Sequence, residues 1–290
     1  MQPFELRLAD IDPDEAYSLS YPPAPERGAA LAEKFPGLPL LIADRAKRLV
    51  WGHDHFRYLL DRGRESAAVL VADLAAADAL VLNYNLSNRL FGLNLYEKLL
   101  FVKKISPLLD DAEIRRRAEL GFALSEPLRQ ALGVLLSGPF RASLAAGRLG
   151  LRTALQLAGM EEADRLALLA VLDSCGFSES QQALVTQMLE EVSFREKRPV
   201  AALLAAAEMQ APLAGEMPQK KFLAALHALR YPAWDRREQE WRAWQKKAAA
   251  GRALSLDHAP YFAREEVRVT LTVKDRQQAE KVLAALNKIL

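Results

Sequence analysis

The sequence predicts an α+β protein with a small mixed domain over residues 1–106, an all-helical domain over residues 107–212 and a small α/β unit over residues 213–290. Apolar residues alternate with other residues, as they do in strands, near the N-terminus and again near residue 270. Between these stretches they recur at helical spacing. Breaks at Ser106-Pro107 and after Pro212 separate the three parts.

The composition is that of a folded, soluble protein. A chain of 290 residues is long enough for two or three domains. A hydrophobic content of 51% excludes general disorder, and a charged content of 26% is ordinary. No apolar run approaches the roughly 20 residues of a membrane span, and the first residues lack the basic and apolar regions of a signal peptide. We therefore expect a cytoplasmic protein without a membrane partner.

Cysteine and histidine give no sign of a metal centre. Cys175 has no second cysteine to pair with and lies in an apolar helical context, which predicts a buried free thiol in a reducing compartment. The closest pair of histidines, His53 and His55, has no cluster of further ligands at zinc spacing. We therefore expect no bound metal that stabilises the fold.

The first domain begins with alternating apolar residues over 4–8, which predict a strand. The proline-rich YPPAP stretch then predicts an extended connector, and a helix follows over residues 26–35. Leu38–Ala43 and Arg48–Trp51 flank the polar turn DRAK and predict a hairpin. A short strand, AVLVAD, precedes a helix that begins near Ala76.

The stretch from Leu49 to Gly63 contains the strongest candidate for a binding site. A strand end is followed by Gly52, polar residues and a helix that Gly63 ends. Gly52 lets the backbone approach a ligand closely, and the first turn of the helix offers unpaired N–H groups that favour an anion. The polar side chains around this point are His53, Asp54, His55 and Arg57. The alternative is an ordinary structural turn.

An asparagine cluster follows at positions 83, 85, 88 and 94. Asparagine is unfavourable inside helices and favourable at caps and turns. The cluster therefore predicts a broken helix whose polar side chains face a cleft, with Asn85 and Arg89 as the candidate ligands. Alternatively these residues cap a bend at Gly92, after which a helix resumes over Tyr96–Ile105.

This order of elements resembles the N-terminal domain of the ParB family, which is shared with sulfiredoxin-like proteins. The Gly-His-Asp-His sequence at 52–55 stands where that family has a Gly-Glu-Arg-Arg or Gly-His-x-Arg box. The segment from Asn85 to Glu97 stands for its Asn/Arg segment. The departures from the family pattern are His55 for an Arg, Tyr84 for a Glu and Leu95 for a Pro.

The resemblance implies a domain that binds a nucleoside triphosphate, CTP with Mg²⁺, and a homodimer whose N-terminal domains close on the nucleotide. The residues implied for this site are Arg27, Gly52, His53, Asp54, His55, Arg57, Asn85 and Arg89.

Three functions remain open on this resemblance. The preferred one is a nucleotide-responsive DNA-binding or partition protein. The second is an enzyme on the same fold, since some relatives transfer phosphate and some have been labelled nucleases; Asp54 or His53 would then be the general base. The third is a divergent scaffold with an empty pocket. The reactive cysteine of sulfiredoxin has no counterpart near Gly52.

Residues 110–136 predict two helices broken at Gly121, in the outline of a helix-turn-helix. The candidate DNA-binding residues are Ser125, Arg129 and Gln130. Pro127, however, occupies the turn that should reach the bases, and Ser125 is a good N-cap. The pair is therefore either a DNA reader or a degenerate motif kept for packing. The helical spacing that follows resembles the ParB middle domain to about residue 195.

The last part of the chain combines a basic helix with a strand and a helix. Nine Lys or Arg and three Asp or Glu lie between Lys220 and Arg252, together with three tryptophans. This helix either contacts phosphates with aromatic stacking or packs its Trp face on the protein. The spacing of Trp241 and Trp244 favours packing.

Alternating valines and leucines over 267–273 predict a strand, and Asp275 precedes a helix over 276–290. The strand would expose unpaired edges and the helix an apolar stripe, so we expect this end of the chain to pair with a second copy. ParB proteins also dimerise at their C-terminus.

Overall fold

The computed structural model describes residues 3–13, 15–214, 216–249, 254–259, 266–271 and 275–286. It contains two compact units, Met1–Thr186 with Pro199–Leu204, and Gln187–Arg198 with Ala205–Leu290. Helices and a small sheet occur in the same chain, which agrees with the predicted α+β class. The predicted boundary at Ser106-Pro107 lies inside the first unit.

Four short strands form the sheet of the first unit: β1 (Pro3–Arg7), β2 (Leu41–Ala43), β3 (Leu49–Trp51) and β4 (Ser66–Val71). Their order in the sheet is β1-β4-β2-β3. β4 runs antiparallel to β1 and parallel to β2. The antiparallel pairing of β2 and β3 confirms the predicted hairpin. In its turn, buried Asp44 accepts the backbone N–H groups of Ala46 and Arg48.

The first unit is mainly helical. They are α1 (Pro25–Lys34), α2 (His53–Asp61), α3 (Ala76–Phe91), α4 (Leu95–Ile105), α5 (Asp111–Arg117), α6 (Glu126–Leu135), α7 (Gly138–Ala145), α8 (Leu151–Ala158) and α9 (Glu162–Cys175). They continue with α10 (Glu179–Glu196), which passes into the second unit, and with α11 (Val200–Leu204). A 3-10 turn, Leu8–Asp10, follows β1.

Two apolar clusters set the position of α2. Leu41, Leu49 and Val69 of the sheet pack with Phe56 of α2 in the first. Trp51 packs with Leu31 of α1 and with partly buried residues of α3 in the second. Because Trp51 ends β3 one residue before Gly52, the two clusters together determine where α2 begins.

The predicted break in the asparagine cluster is wrong, because α3 continues without interruption through Asn83, Asn85 and Asn88 to Phe91. The Asn83 side chain donates to Tyr17 O and accepts from Ser87, and Asn85 donates to Arg117 O. These side chains have partners outside their own backbone, so they do not compete for its hydrogen bonds. The break lies at Gly92, at φ 70°.

The second unit contains α12 (Ala207–Gln210), a 3-10 turn (Ala211–Ala214), α13 (Pro218–Arg230), α14 (Pro232–Ala249) and α15 (Arg276–Leu286). Its strand β6 (Val267–Leu271) was predicted, but its antiparallel partner β5 (Leu254–His258) was not. The sequence of β5, LSLDH, alternates apolar and polar residues over four positions only, which is a short signal for a strand. Val273 and residues 287–290 of the predicted elements lie outside the described residues.

The tryptophan face of α14 packs within the second unit. The ring of Trp241 lies 5.0 Å from those of Trp244 and His258, measured between centroids. Gln245 donates to Leu256 O at 2.7 Å. These contacts agree with the packing interpretation of the basic helix.

Cys175 is free but only partly buried, which corrects the expectation of a buried thiol. Burial still raises the pKa of its thiol. Among the residues that the structure describes, none of the helices has the length and apolar character needed to cross a membrane.

Candidate functional site

A cleft in the first unit lies at the start of α2. It is a small, partly enclosed cleft that opens to solvent. The residues that line it are Leu19, Ser20, Arg27, Leu31, Trp51, Gly52, His53, Asp54, His55, Asn83, Ser87, Phe91 and Leu93.

Gly52 forms the turn between β3 and α2, and no other residue fits there. Its φ of 94° is in the left-handed region, and a Cβ added to it would lie 2.3 Å from Leu40 O. The first turn of α2 is closed by Phe56 N–H, which donates to Gly52 O at 2.8 Å. The start of an α-helix carries a partial positive charge from the aligned peptide dipoles, and this end of α2 faces the cleft.

Gly28 allows α1 and α2 to cross at van der Waals contact. A Cβ at this position would lie 2.5 Å from Asp54 O and 2.6 Å from the Cα of His55. The Nδ1 atom of buried His55 lies 3.1 Å from Gly28 O. Since a carbonyl oxygen only accepts, we assign the ring proton to Nδ1. Burial lowers the pKa of His55 and favours this neutral form.

Asp54 connects α2 to residues 15–24, an irregular segment that includes most of the YPPAP stretch and is hereafter called the connector. Its Oδ2 accepts from the Ser20 hydroxyl at 2.7 Å, and its Oδ1 accepts from Ala24 N–H at 3.1 Å and from Arg57 at 3.3 Å. The carboxylate is buried, and both of its oxygens are engaged. Asp54 therefore holds the connector in place instead of standing ready to accept a proton from a substrate.

Arg27 is the cation of the cleft. Of the described residues that line it, Arg27 alone carries a permanent positive charge. Its Nη1 donates to Glu97 Oε1 at 2.8 Å, and its guanidinium lies 5.9 Å from the centre of the Phe91 ring. The Glu97 side chain is fully buried, whereas a quarter of the Arg27 side chain is exposed.

The structure brings five of the predicted site residues to this cleft: Arg27, Gly52, His53, Asp54 and His55. It does not bring the other three there. Arg57 pairs with Asp54 without lining the cleft, Asn85 donates to Arg117 O at the end of α5, and Arg89 is exposed.

The turn of α3 explains the different positions of the asparagines. Successive residues of a helix are rotated by about 100°, so Asn83, Ser87 and Phe91 share one face, and all three line the cleft. Asn85 and Arg89 lie on the opposite face. We did not predict from the sequence that Asn83, Ser87 and Phe91 share a face, because we expected a broken helix. Their spacing of four residues was visible in the sequence.

The contribution of the connector was also missed. Leu19 and Ser20 line the cleft from a segment that is neither helix nor strand. No periodicity marks such residues in a sequence, because their position depends on contacts with elements distant in the chain.

The three candidate DNA-binding residues all contact other residues of the first unit. Ser125 accepts Leu128 N–H at 3.4 Å and caps α6. Arg129 pairs with Asp111 and donates to the Ser106 hydroxyl at 3.0 Å. Gln130 donates to Glu126 at 3.0 Å. In this conformation Arg129, in particular, is held against the turn before α5.

Gly52→Ala tests the close approach at the start of α2, with Gly63→Ala as a matched control. Both glycines have positive φ, but a Cβ at Gly63 meets no atom within 4 Å. We expect Gly63→Ala to lower the free energy of unfolding by about 1–2 kcal/mol. Gly52→Ala should lower it by about 1–3 kcal/mol more, because Leu40 O must move. Urea unfolding followed by circular dichroism measures both; equal losses would contradict the close approach.

His55 predicts a loss of stability in acid. Its folded-state pKa is below the ordinary 6.5, so below that pH the unfolded chain binds a proton that the folded chain does not. This contribution decreases the free energy of unfolding as the pH falls below about 6.5, by at most about 1.4 kcal/mol per pH unit. His55→Gln should reduce this slope in denaturation series at about pH 7.5 and 5.5. A slope that His55→Gln does not alter would exclude this role.

Comparison with known proteins gives a distant match. No protein-family model matches the chain, and no curated protein matches it. Among solved structures, the chain is similar to a Pnob8-like ParB-N domain, with a TM-score of 0.38 and 15% sequence identity. The match covers 79% of this chain and 97% of that chain.

Proposed function

We propose that the cleft binds a nucleotide through its phosphates and that the protein is a ParB-like, nucleotide-responsive DNA-binding protein. The observation that carries the proposal is the start of α2, which opens after the left-handed Gly52 into the same cleft as Arg27. Backbone N–H groups at a helix start and a guanidinium are both ligands of phosphate. The expected nucleotide is CTP with Mg²⁺, as implied by the resemblance to the ParB family.

The charges around the cleft support a metal-bound phosphate over a bare one. Arg27 and the start of α2 attract an anion, but the Asp54 carboxylate lines the same cleft and Glu97 lies directly behind Arg27. A polyphosphate close to two carboxylates is repelled unless a cation neutralises part of its charge. The oxygens of both carboxylates already accept hydrogen bonds, so the cation would arrive with the phosphates, and the proposed ligand is a magnesium–nucleotide complex.

The apolar part of the lining supports a nucleotide over inorganic phosphate. The apolar residues of the lining are Leu19, Leu31, Trp51, Phe91 and Leu93. A flat ring can cover such side chains, while polar groups hold its phosphates.

The geometry supports binding over catalysis. The general base of the enzyme alternative was Asp54 or His53, and Asp54 already accepts three hydrogen bonds. His55, a second histidine of the turn beside the candidate His53, has its pKa lowered by burial, which favours its neutral form. We therefore propose a binding site in which nucleotide occupancy, and not turnover, is the signal.

Titration calorimetry with CTP, ATP and GTP, each with Mg²⁺, tests the nucleotide site. We expect binding with a preference for CTP and a loss of about tenfold or more in affinity in Arg27→Ala, since a charge-assisted hydrogen bond is removed. Arg89→Ala is the matched control, because this exposed arginine lies on the face of α3 away from the cleft.

A preference for purine nucleotides would favour phosphoryl transfer instead. If no nucleotide binds, the turn at Gly52 serves only the fold, and the scaffold alternative holds.

Arg129→Ala tests the DNA part of the proposal. Because Arg129 is bonded to Asp111 and Ser106, we expect the variant to bind DNA with unchanged affinity and unchanged salt dependence, and to unfold more easily. Fluorescence anisotropy with labelled duplexes over a salt series, with and without CTP, measures this. A loss of sequence preference in Arg129→Ala would show that α6 reads bases.

A further inference from the structure

The connector, residues 15–24, has no helix or strand, yet several of its residues are buried. Buried backbone groups need hydrogen-bond partners, and here side chains supply them. The carbonyl groups of Tyr17, Ser18 and Tyr21 accept from Asn83, Lys104 and Asn94 at 2.6, 2.7 and 3.0 Å. The connector is thus held by α3 and α4, in addition to Asp54 of α2.

Glu97 of α4 also bonds to the connector, and its side chain is fully inaccessible to solvent. Its Oε1 accepts from Tyr21 N–H of the connector at 3.1 Å and from Arg27 of α1 at 2.8 Å. Its Oε2 accepts from Asn94 N–H at 2.9 Å, which closes a capping box at the start of α4. One carboxylate therefore joins the connector, α1 and α4.

Arg27 is at once the counter-ion of this carboxylate and the cation of the cleft. A phosphate in the cleft competes with Glu97 for the same guanidinium. A buried carboxylate that loses its counter-ion is strongly unfavourable unless water or a proton reaches it. Tyr21 N–H of the connector bonds directly to this buried carboxylate, so a movement of the connector opens a place for water beside it.

We infer that Glu97 is a positioning residue with two effects. It opposes anion binding because it holds Arg27, and it couples anion binding to a movement of the connector. This inference rests on the proposed phosphate site. When a magnesium–nucleotide complex binds, Arg27 turns from Glu97 to a phosphate, and Tyr21 N–H separates from the carboxylate as water enters. The ring of Tyr21 lies 4.8 Å from the guanidinium of Arg141 on α7, so the movement reaches the helices beyond α4.

The first experiment needs no ligand. Hydrogen exchange of the full chain, followed by mass spectrometry, reports on peptides from residues 15–24. Arg27→Met leaves Glu97 without its cation, and we expect these peptides to exchange about tenfold faster or more. Arg116→Met is the matched control, because it breaks an exposed pair with Glu113. Unchanged exchange in Arg27→Met overturns the inference.

The second experiment adds Mg²⁺ with CTP, and Mg²⁺ with tripolyphosphate as a probe without a base. In the wild type we expect saturating probe to speed exchange of the connector. Glu97→Gln frees Arg27, so it should bind the probe about tenfold more tightly, and its connector should not respond further. A residue that only supported the fold would give weaker or equal binding on substitution, and that result overturns the inference.

The two proposals fail in different ways. No binding of either probe by the wild type overturns the nucleotide site and this inference together. Binding with an unchanged connector overturns only the role of Glu97. If Glu97→Gln does not fold, the Arg27→Met comparison and the response of the wild type still decide the matter.

Discussion

The need to satisfy the backbone of an irregular, partly buried connector is the constraint on which the first unit depends. Residues 15–24 have no neighbouring strand, so their polar groups bond to side chains instead. Asn83, Asn94, Asp54 and Glu97 meet this need from three helices. This also explains why polar residues are concentrated here. Many of the polar side chains that mark a candidate site in the sequence form hydrogen bonds that stabilise the fold.

The same constraint sets the electrostatics of the cleft. Two buried carboxylates hold the connector, and each is paired with an arginine, Asp54 with Arg57 and Glu97 with Arg27. The positive charge at the start of α2 is therefore partly balanced before any ligand arrives. On the proposed function, this arrangement favours an anion that brings its own cation over one that must displace an internal ion pair.

Much of the fold could be predicted from local sequence. The hairpin follows from two apolar runs around a polar turn, and α2 follows from its apolar spacing between Gly52 and Gly63. The site was predicted only in part, because the type of a residue does not reveal which way its side chain points in the fold. Asn83 and Asn85 look alike in the sequence, yet one lines the cleft and the other bonds to the end of α5. Arg129 likewise is a residue type that often contacts DNA, but in the structure it forms an ion pair with Asp111.

By itself, the sequence determined the mixed α+β class, the start of α2 and the identity of Gly52 as the residue of the turn, because periodicity and backbone permissiveness act over a few neighbouring residues. Only the tertiary structure decided that α3 continues through its asparagines, that Ser20 reaches the cleft and that Glu97 holds Arg27. These features depend on partners that are distant in the chain. Glu97, for example, bonds to Arg27 and Tyr21, which are 70 and 76 residues away. Burial and hydrogen-bond satisfaction across such distances outweigh local propensity, and no short stretch of sequence contains both partners.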